Sequence, residues 1–376
     1  MLGIDSTMMR LSNFTQGRDN NFNLIRLSAA LAVLVSHSFV LVSGHREAAP
    51  LLTILGMHLG NIAVDIFFII SGFLVTGSLL SRQSTIEFVW ARLLRIYPAL
   101  IVMVLLSVFL LGLFFTTIPA TSFLRSHETH VYMLQNMTLV SDVAYTLPGV
   151  FESLPMKKIV NGSLWTMPYE ILLYMMLAIL WLAFGLVGSF RLQALKSSVL
   201  LLAVVSFFAF FADHLVARSE SDFSRLFFMF FTGAAYYVLK ERIVLSYWFF
   251  AFALAGLLAS VIDKKIFFVV YILLLAYILF FLAYVPAGRI RNFSRIGDYS
   301  YGVYIYAFPV QQSIAAIIPG VSVIKMLVLS STATLIIAAL SWNLIEKHAL
   351  RLKSSSVHLS RRMLHSYLTK LSTRWR

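Results

Sequence analysis

The sequence predicts an all-α, polytopic membrane protein of about ten transmembrane helices. Three observations carry that prediction. The 376 residues are 60% hydrophobic and 12% charged, with a mean hydropathy of +0.85, whereas a soluble domain carries about 25% charged residues. Apolar runs of about 20 residues, the length that matches the hydrocarbon core of a bilayer, recur from residue 22 to about residue 345. The thirty Lys and Arg residues lie almost entirely between those runs and in the C-terminal tail.

Taken in order, the apolar runs place helices at about 22–43, 60–81, 98–118, 163–187, 196–214, 225–240, 244–262, 266–286, 298–318 and 323–345. The sixth is the shortest. Residues 82–97 read as an amphipathic stretch between the second and third spans, and residues 119–162 as the longest loop, on the opposite side. The chain therefore divides into an N-terminal tail (1–21), a membrane domain (22–346) and a basic tail (347–376) that lies on the membrane surface. No cleavable leader is read at the N-terminus, so the first span is expected to stay as an anchor.

Placing the N-terminus inside puts 20 Lys and Arg residues on the cytoplasmic side and 9 on the outer side, which predicts cytoplasmic termini. The net charge of +14 is thereby assigned to topology and lipid headgroups. No nucleic-acid motif accompanies it. The absence of cysteine excludes disulfides, thiolate zinc sites and thiol acyl-enzymes.

Ionisable residues inside a membrane are costly and mark functional sites by default. Arg26 and His37 are eleven residues apart on the first span, so they share a face with a rise of about 16 Å. Arg26 falls at the cytoplasmic interface and His37 in the outer half. Asp65, in "GNIAVDIFFIISGFL", and Glu170, in "NGSLWTMPYEILLY", fall at a depth similar to His37. A histidine beside a carboxylate can act as a general base, the acid orienting the imidazole. The structural alternatives are a snorkelling Arg26, a packed His37 and a buried ion pair. On the cytoplasmic side, Arg92 and Arg95 in "ARLLRIYP" lie at i, i+3 on one helix face and form a candidate phosphate grip, with plain positive-inside anchoring as the alternative. Ser71 and Gly72 read as small packing residues. In "DYSYGVYIYAFP", Tyr299 and Tyr301 suit an interfacial belt, while Tyr304 and Tyr306 lie deeper, where they can line a ligand channel. No metal site is called.

Together these segments resemble the acyltransferase-3 family of integral membrane acyltransferases, over about residues 20–350. The resemblance rests on Arg26 and His37 (an arginine–ten residues–histidine motif), "VDIFFIISGFL" (64–74), "RLLRIYP" (92–98), "GSLWTMPYE" (162–170) and "YSYGVYIYAFP" (299–309). It implies a ten-helix core in a bacterial cytoplasmic membrane. It also implies transfer of an acyl group, most commonly acetyl, from cytoplasmic acyl-CoA to a hydroxyl of a surface, secreted or lipid-linked glycan. His37 would be the catalytic histidine, Glu170 the site acid, and Arg26, Arg92 and Arg95 would handle the donor. The chain departs from the pattern where Ala307 or Phe308 replaces a late histidine, and where Glu346-Lys347-His348 replaces the usual Glu-Arg/Lys-Pro.

On this reading acetyl-CoA binds with its nucleotide near Arg92, Arg95 and Arg26, and its arm passes Tyr304. The arm's length, on the order of 15–20 Å, is comparable to the Arg26–His37 rise. His37 then acts as base, with Glu170 or Asp65 orienting it. The competing classes are a proton-coupled transporter or glycan flippase, and a structural scaffold.

Overall fold

In the computed structural model, described for residues 9–17, 19–214 and 221–353, the chain is an all-α bundle. Its long helices are α1 (Phe22–Ser43), α2 (Leu59–Arg82), α3 (Thr85–Leu106), α4 (Met167–Ala183), α5 (Arg191–Ala212), α6 (Asp222–Val238), α7 (Tyr247–Ala259), α8 (Lys264–Tyr284), α9 (Ser300–Ile317) and α10 (Val323–Ser341). Seven helical stretches are long and apolar enough to cross a membrane. The other three, α6, α7 and α9, are shorter or more polar; α9 carries Gln311, Gln312 and Ser313. The helices alternate in direction, so the bundle has a basic end, where α1 and α9 begin, and a loop end, which carries residues 116–161.

Close approach of backbones sets the packing at the centre. Helix α2 packs chiefly on α6 and α1. A Cβ on Gly72 would lie 1.9 Å from the Phe230 carbonyl oxygen, and one on Gly233 would lie 1.9 Å from that of Ile69. Each glycine thus admits the other helix's backbone, the small-residue contact that holds helices together where burial of apolar area gives no net drive. Gly72 fulfils the packing role read from the sequence.

Helices α1 and α9 run parallel, and polar pins fix their register. At the loop end the Gln311 amide donates to the Leu34 carbonyl (2.8 Å) and to Ser38 Oγ (2.6 Å). At the basic end Arg26 of α1 meets Asp298, two residues ahead of α9, at 2.5 Å. The chain ahead of α1 is docked as well: Leu11 is fully buried, and Asn21 donates to the carbonyls of Leu282 and Pro286.

Three boundaries differ from expectation. Residues 85–97 do not form a separate stretch: α3 starts at Thr85, where the Ser84 hydroxyl accepts the Glu87 amide, the serine half of a capping box. The helix then runs through Pro98, which lacks an amide but does not end it. The long loop contains two helices, Ala120–Arg125 and His127–Thr138, and the second packs on α3, with the Tyr97 hydroxyl donating to the Thr138 carbonyl. The last span continues through a π turn at Trp342–Glu346 and reaches Lys353. The expected surface tail from residue 354 onward, Arg18 and Arg218 lie outside the described residues.

Candidate active site

Four of the sequence-derived donor residues line one cavity. A space of about 300 Å³ is walled by Arg26 of α1, Arg92 and Arg95 of α3, and Tyr304 of α9, together with Glu170 and Tyr174 of α4 and Ser71 of α2. Asp298, Trp342 and Lys353 border it at the basic end, and Thr166 and Phe67 deeper in the bundle.

The charges at its mouth are already organised. Asp298 holds Arg26 at 2.5 Å and Arg95 at 2.6 Å, and Glu346 lies 3.4 Å from Arg95. Asp298 is fixed in turn by the Ser300 hydroxyl, and Glu346 by the Ser341 hydroxyl. Arg95 also lies over the Tyr301 ring, whose hydroxyl donates to the Ile96 carbonyl. Arg92 differs. Its guanidinium lies over the Tyr174 ring at 5.8 Å, and its Nε has no hydrogen-bond partner among the described residues. The two arginines of the motif therefore share a cavity without forming a symmetric fork: Arg95 is neutralised by carboxylates, and Arg92 is the less committed cation.

Glu170 belongs to the cavity wall. Tyr174, one turn on, donates to its Oε1, and Ser71 Oγ lies 3.5 Å from the same oxygen and 2.8 Å from the Tyr174 hydroxyl. Ser71, read from the sequence as a packing residue, thus presents its hydroxyl to this polar cluster.

His37 and Asp65 lie elsewhere. The Asp65 carboxylate is fully buried, accepts from the Tyr271 hydroxyl at 2.8 Å and faces Arg225 at 3.5 Å. Arg225 also reaches Asp222. Asp65 thereby ties α2 to α6 and α8. The His37 ring meets Phe308 edge-on at 5.1 Å, and its buried Nδ1 has no hydrogen-bond partner among the described residues. The expected pairing of His37 with an acid is therefore not formed: Asp65 is engaged by Tyr271 and Arg225, and Glu170 by Tyr174 and Ser71.

Beyond the cavity, α9 packs along the segment ahead of α4. At the deep end of the cavity Thr166 Oγ1 and the Tyr304 hydroxyl are 2.7 Å apart. One turn further along both partners, Gly162 faces Phe308, where a Cβ would come within 2.7 Å of the ring. The same ring meets His37 edge-on at 5.1 Å. The seam owes its register to Pro309, which has no amide to offer the carbonyl one turn back. That carbonyl, on Ile305, accepts instead from the fully buried Asn161 at 2.9 Å, and Asn161 Oδ1 accepts the Ser163 amide.

The chain matches the model of an acyltransferase domain over residues 19–343. It belongs to that acyltransferase family. It is 30% identical to an O-acetyl transferase of Shigella phage Sf6 over 91% of this chain and 99% of that protein. It is 28% identical to nodulation protein 10 of Rhizobium leguminosarum bv. viciae, over 91% and 96%. No solved structure matches. The match settles the class in favour of an acyltransferase over the transporter and scaffold readings.

Several residues in and around this acyltransferase's cavity were not found from the sequence. Asp298 and Glu346 sit at span ends, where an acid is unremarkable until the facing arginines are known. Tyr174 carried only the signal of its spacing, one turn from Glu170. Asn161 was detectable in principle, because an interior proline in α9 demands a side-chain donor for the carbonyl it strands. Among the described residues, no three His, Asp or Glu side chains gather as a metal site.

Proposed function

We propose that this acyltransferase moves an acetyl group from acetyl-CoA, entering at the basic end, to a hydroxyl of a glycan or lipid-linked sugar presented at the loop end. The membrane is the bacterial cytoplasmic membrane, with the basic end and both termini facing the cytoplasm. The observation that carries this reading is that one cavity is lined by Arg26, Arg92, Arg95 and Tyr304 together with Glu170. The printed name of the phage relative, an O-acetyl transferase, supports oxygen as the acceptor atom, and the 20 to 9 division of basic residues supports the orientation.

In this scheme the donor phosphates engage Arg92 first, because Arg26 and Arg95 already hold Asp298. A planar guanidinium suits phosphate oxygens. The arm lies along Glu170 and Tyr304, whose polar atoms can pair with its amides. The thioester then stands at the Thr166–Tyr304 rung, one turn of α9 from Phe308, against which His37 packs. His37 takes the proton of the acceptor hydroxyl, the oxygen attacks the thioester carbonyl, the C–S bond breaks, and the proton passes to the departing thiolate. Asp65 serves the fold, through Arg225 and Tyr271, rather than the imidazole.

Purified protein with labelled acetyl-CoA tests this. Donor hydrolysis or transfer should fall by about 10²–10⁴-fold in His37→Ala, and Arg92→Ala should raise the donor KM with a smaller change in kcat. Turnover that survives His37→Ala in full would refute the assignment.

A further inference from the structure

We propose that Thr166 is a catalytic residue of the transfer: its hydroxyl donates the hydrogen bond that holds the thioester carbonyl oxygen as negative charge develops there. The inference rests on the donor reading above and goes beyond it by assigning the group that stabilises the reacting oxygen.

Each hydroxyl has one proton to give. Elsewhere in the bundle a helical hydroxyl gives it to the carbonyl one turn back: Ser38 to Leu34, Ser107 to Met103, Thr138 to Leu134. Thr166 does not. It lies where the turn Gly162–Thr166 passes into α4, and its side chain makes no capping bond there. Its one hydrogen-bond partner among the described residues is the Tyr304 hydroxyl, at 2.7 Å. The two hydroxyls carry two protons, and the bond between them uses one. A phenol is a stronger acid than an alkanol and so the better donor, and the alkanol oxygen is the better acceptor. Tyr304 therefore donates to Thr166 Oγ1, and the Thr166 proton is the one left over. Thr166 is 4% exposed and lines the cavity, so that proton has the cavity to turn to.

The other hydroxyls on the cavity wall are committed. Tyr301 donates to the Ile96 carbonyl, Tyr174 to Glu170, and Ser71 faces the same carboxylate and the Tyr174 hydroxyl. Arg26 and Arg95 are held by Asp298 at the basic end. A hydroxyl that accepts one hydrogen bond becomes a stronger donor in the next, because the two bonds polarise each other. Tyr304 is thus a positioning residue. Its ring is set edge-on against Phe67 at 5.7 Å, and the next residue of α9 is tied through its carbonyl to Asn161, ahead of the Thr166 turn.

When the acceptor oxygen attacks the carbonyl carbon, the carbonyl electron pair moves onto oxygen and the Thr166 hydrogen bond shortens. As the C–S bond breaks the carbonyl re-forms, and Thr166 keeps its proton throughout. A donor fixed in advance at the developing oxyanion contributes about 10²–10³-fold in kcat.

Turnover of acetyl-CoA by the purified full-length protein tests this. Thr166→Val should lower kcat by about 10²–10³-fold with the donor KM unchanged, and Thr166→Ser should restore most of it. Tyr304→Phe should cost less, and adding it to Thr166→Val should cost nothing further, since it acts through Thr166. Infrared spectra of a bound, ¹³C-labelled ketone analogue of acetyl-CoA, with CH₂ in place of sulfur, should show the carbonyl band at higher frequency in Thr166→Val than in the wild type. Should Thr166→Val not fold, Thr166→Ala is read in the same way. An unchanged kcat with acetyl-CoA still consumed, a raised KM alone, or the same carbonyl band in both proteins would overturn the proposal and leave the donor reading intact. A wild type that neither binds nor consumes acetyl-CoA would refute the donor reading, and this proposal with it.

Discussion

Asp298 binds two arginines at once, and this shapes what the donor must do on arrival. Arg26 and Arg95 each lie within 2.6 Å of it, in surroundings where removing one member of a buried pair strands a charge. Asp298→Asn should therefore lower the melting temperature in detergent, by an amount equivalent to as much as ~3 kcal/mol. Because donor phosphates can replace the lost carboxylate, acetyl-CoA should raise the melting temperature of the variant more than that of the wild type. Equal donor-induced shifts in the two proteins would contradict this role. His37→Ala should cost about 10²–10⁴-fold in transfer, the range of a general base, without a comparable loss of thermal stability, since its Nδ1 makes no hydrogen bond among the described residues. Individual residues were legible in the sequence to the extent that charge in an apolar span is itself anomalous: Arg26, His37, Asp65 and Glu170 all announced themselves that way. Their partners did not, because pairing depends on which helix faces which. Equal depth suggested one shared site, with Glu170 or Asp65 orienting His37. The packing instead placed α6 and α8 beside Asp65, and Tyr174 and Ser71 beside Glu170.

Among the elements, α9 is the one whose internal defect is repaired by another segment. Pro309 strands the Ile305 carbonyl, and Asn161 satisfies it. An unsatisfied buried acceptor costs about 1–3 kcal/mol, so Asn161→Ala should destabilise by that order. In a Pro309→Ala background, where residue 309 supplies the missing amide, the same substitution should cost measurably less. Additive losses in that double-mutant cycle would show that the two residues are not coupled. The α2–α6 crossing makes a second element-scale prediction. Gly72→Ala or Gly233→Ala forces a carbon into a carbonyl 1.9 Å away, and the helices must separate, at a cost of about 1–3 kcal/mol or more. Denaturation in mixed detergent measures it, and a variant as stable as the wild type would refute the close crossing. Helix existence was readable because apolar length alone predicts a span. Helix boundaries were less so: Pro98 looked like a start, whereas the Ser84 cap fourteen residues earlier decides where α3 begins.

At the scale of the whole molecule, composition specified an all-α membrane bundle, and the order of five short motifs specified its family, because both signals are properties of the chain read in one direction. What the sequence could not show was the cavity itself, since its walls come from α1, α2, α3, α4 and α9, segments distant in the chain. Orientation is testable with little risk to the fold, because the chain has no cysteine. Single cysteines introduced at Arg46 or Lys325, at the loop end, should be labelled by a membrane-impermeant reagent from outside intact cells, and those at Lys240 or Arg289 only after lysis. The reverse pattern would invert the proposed path. The most direct measurement is a structure of the protein bound to a thioether analogue of acetyl-CoA that cannot react. The phosphates should sit beside Arg92 at the basic end, with the sulfur at the Thr166–Tyr304 rung and the acyl group extending toward His37. Phosphates bound at the loop end, or an arm that leaves the cavity away from Tyr304, would contradict delivery of the acyl group to His37 from within the bundle.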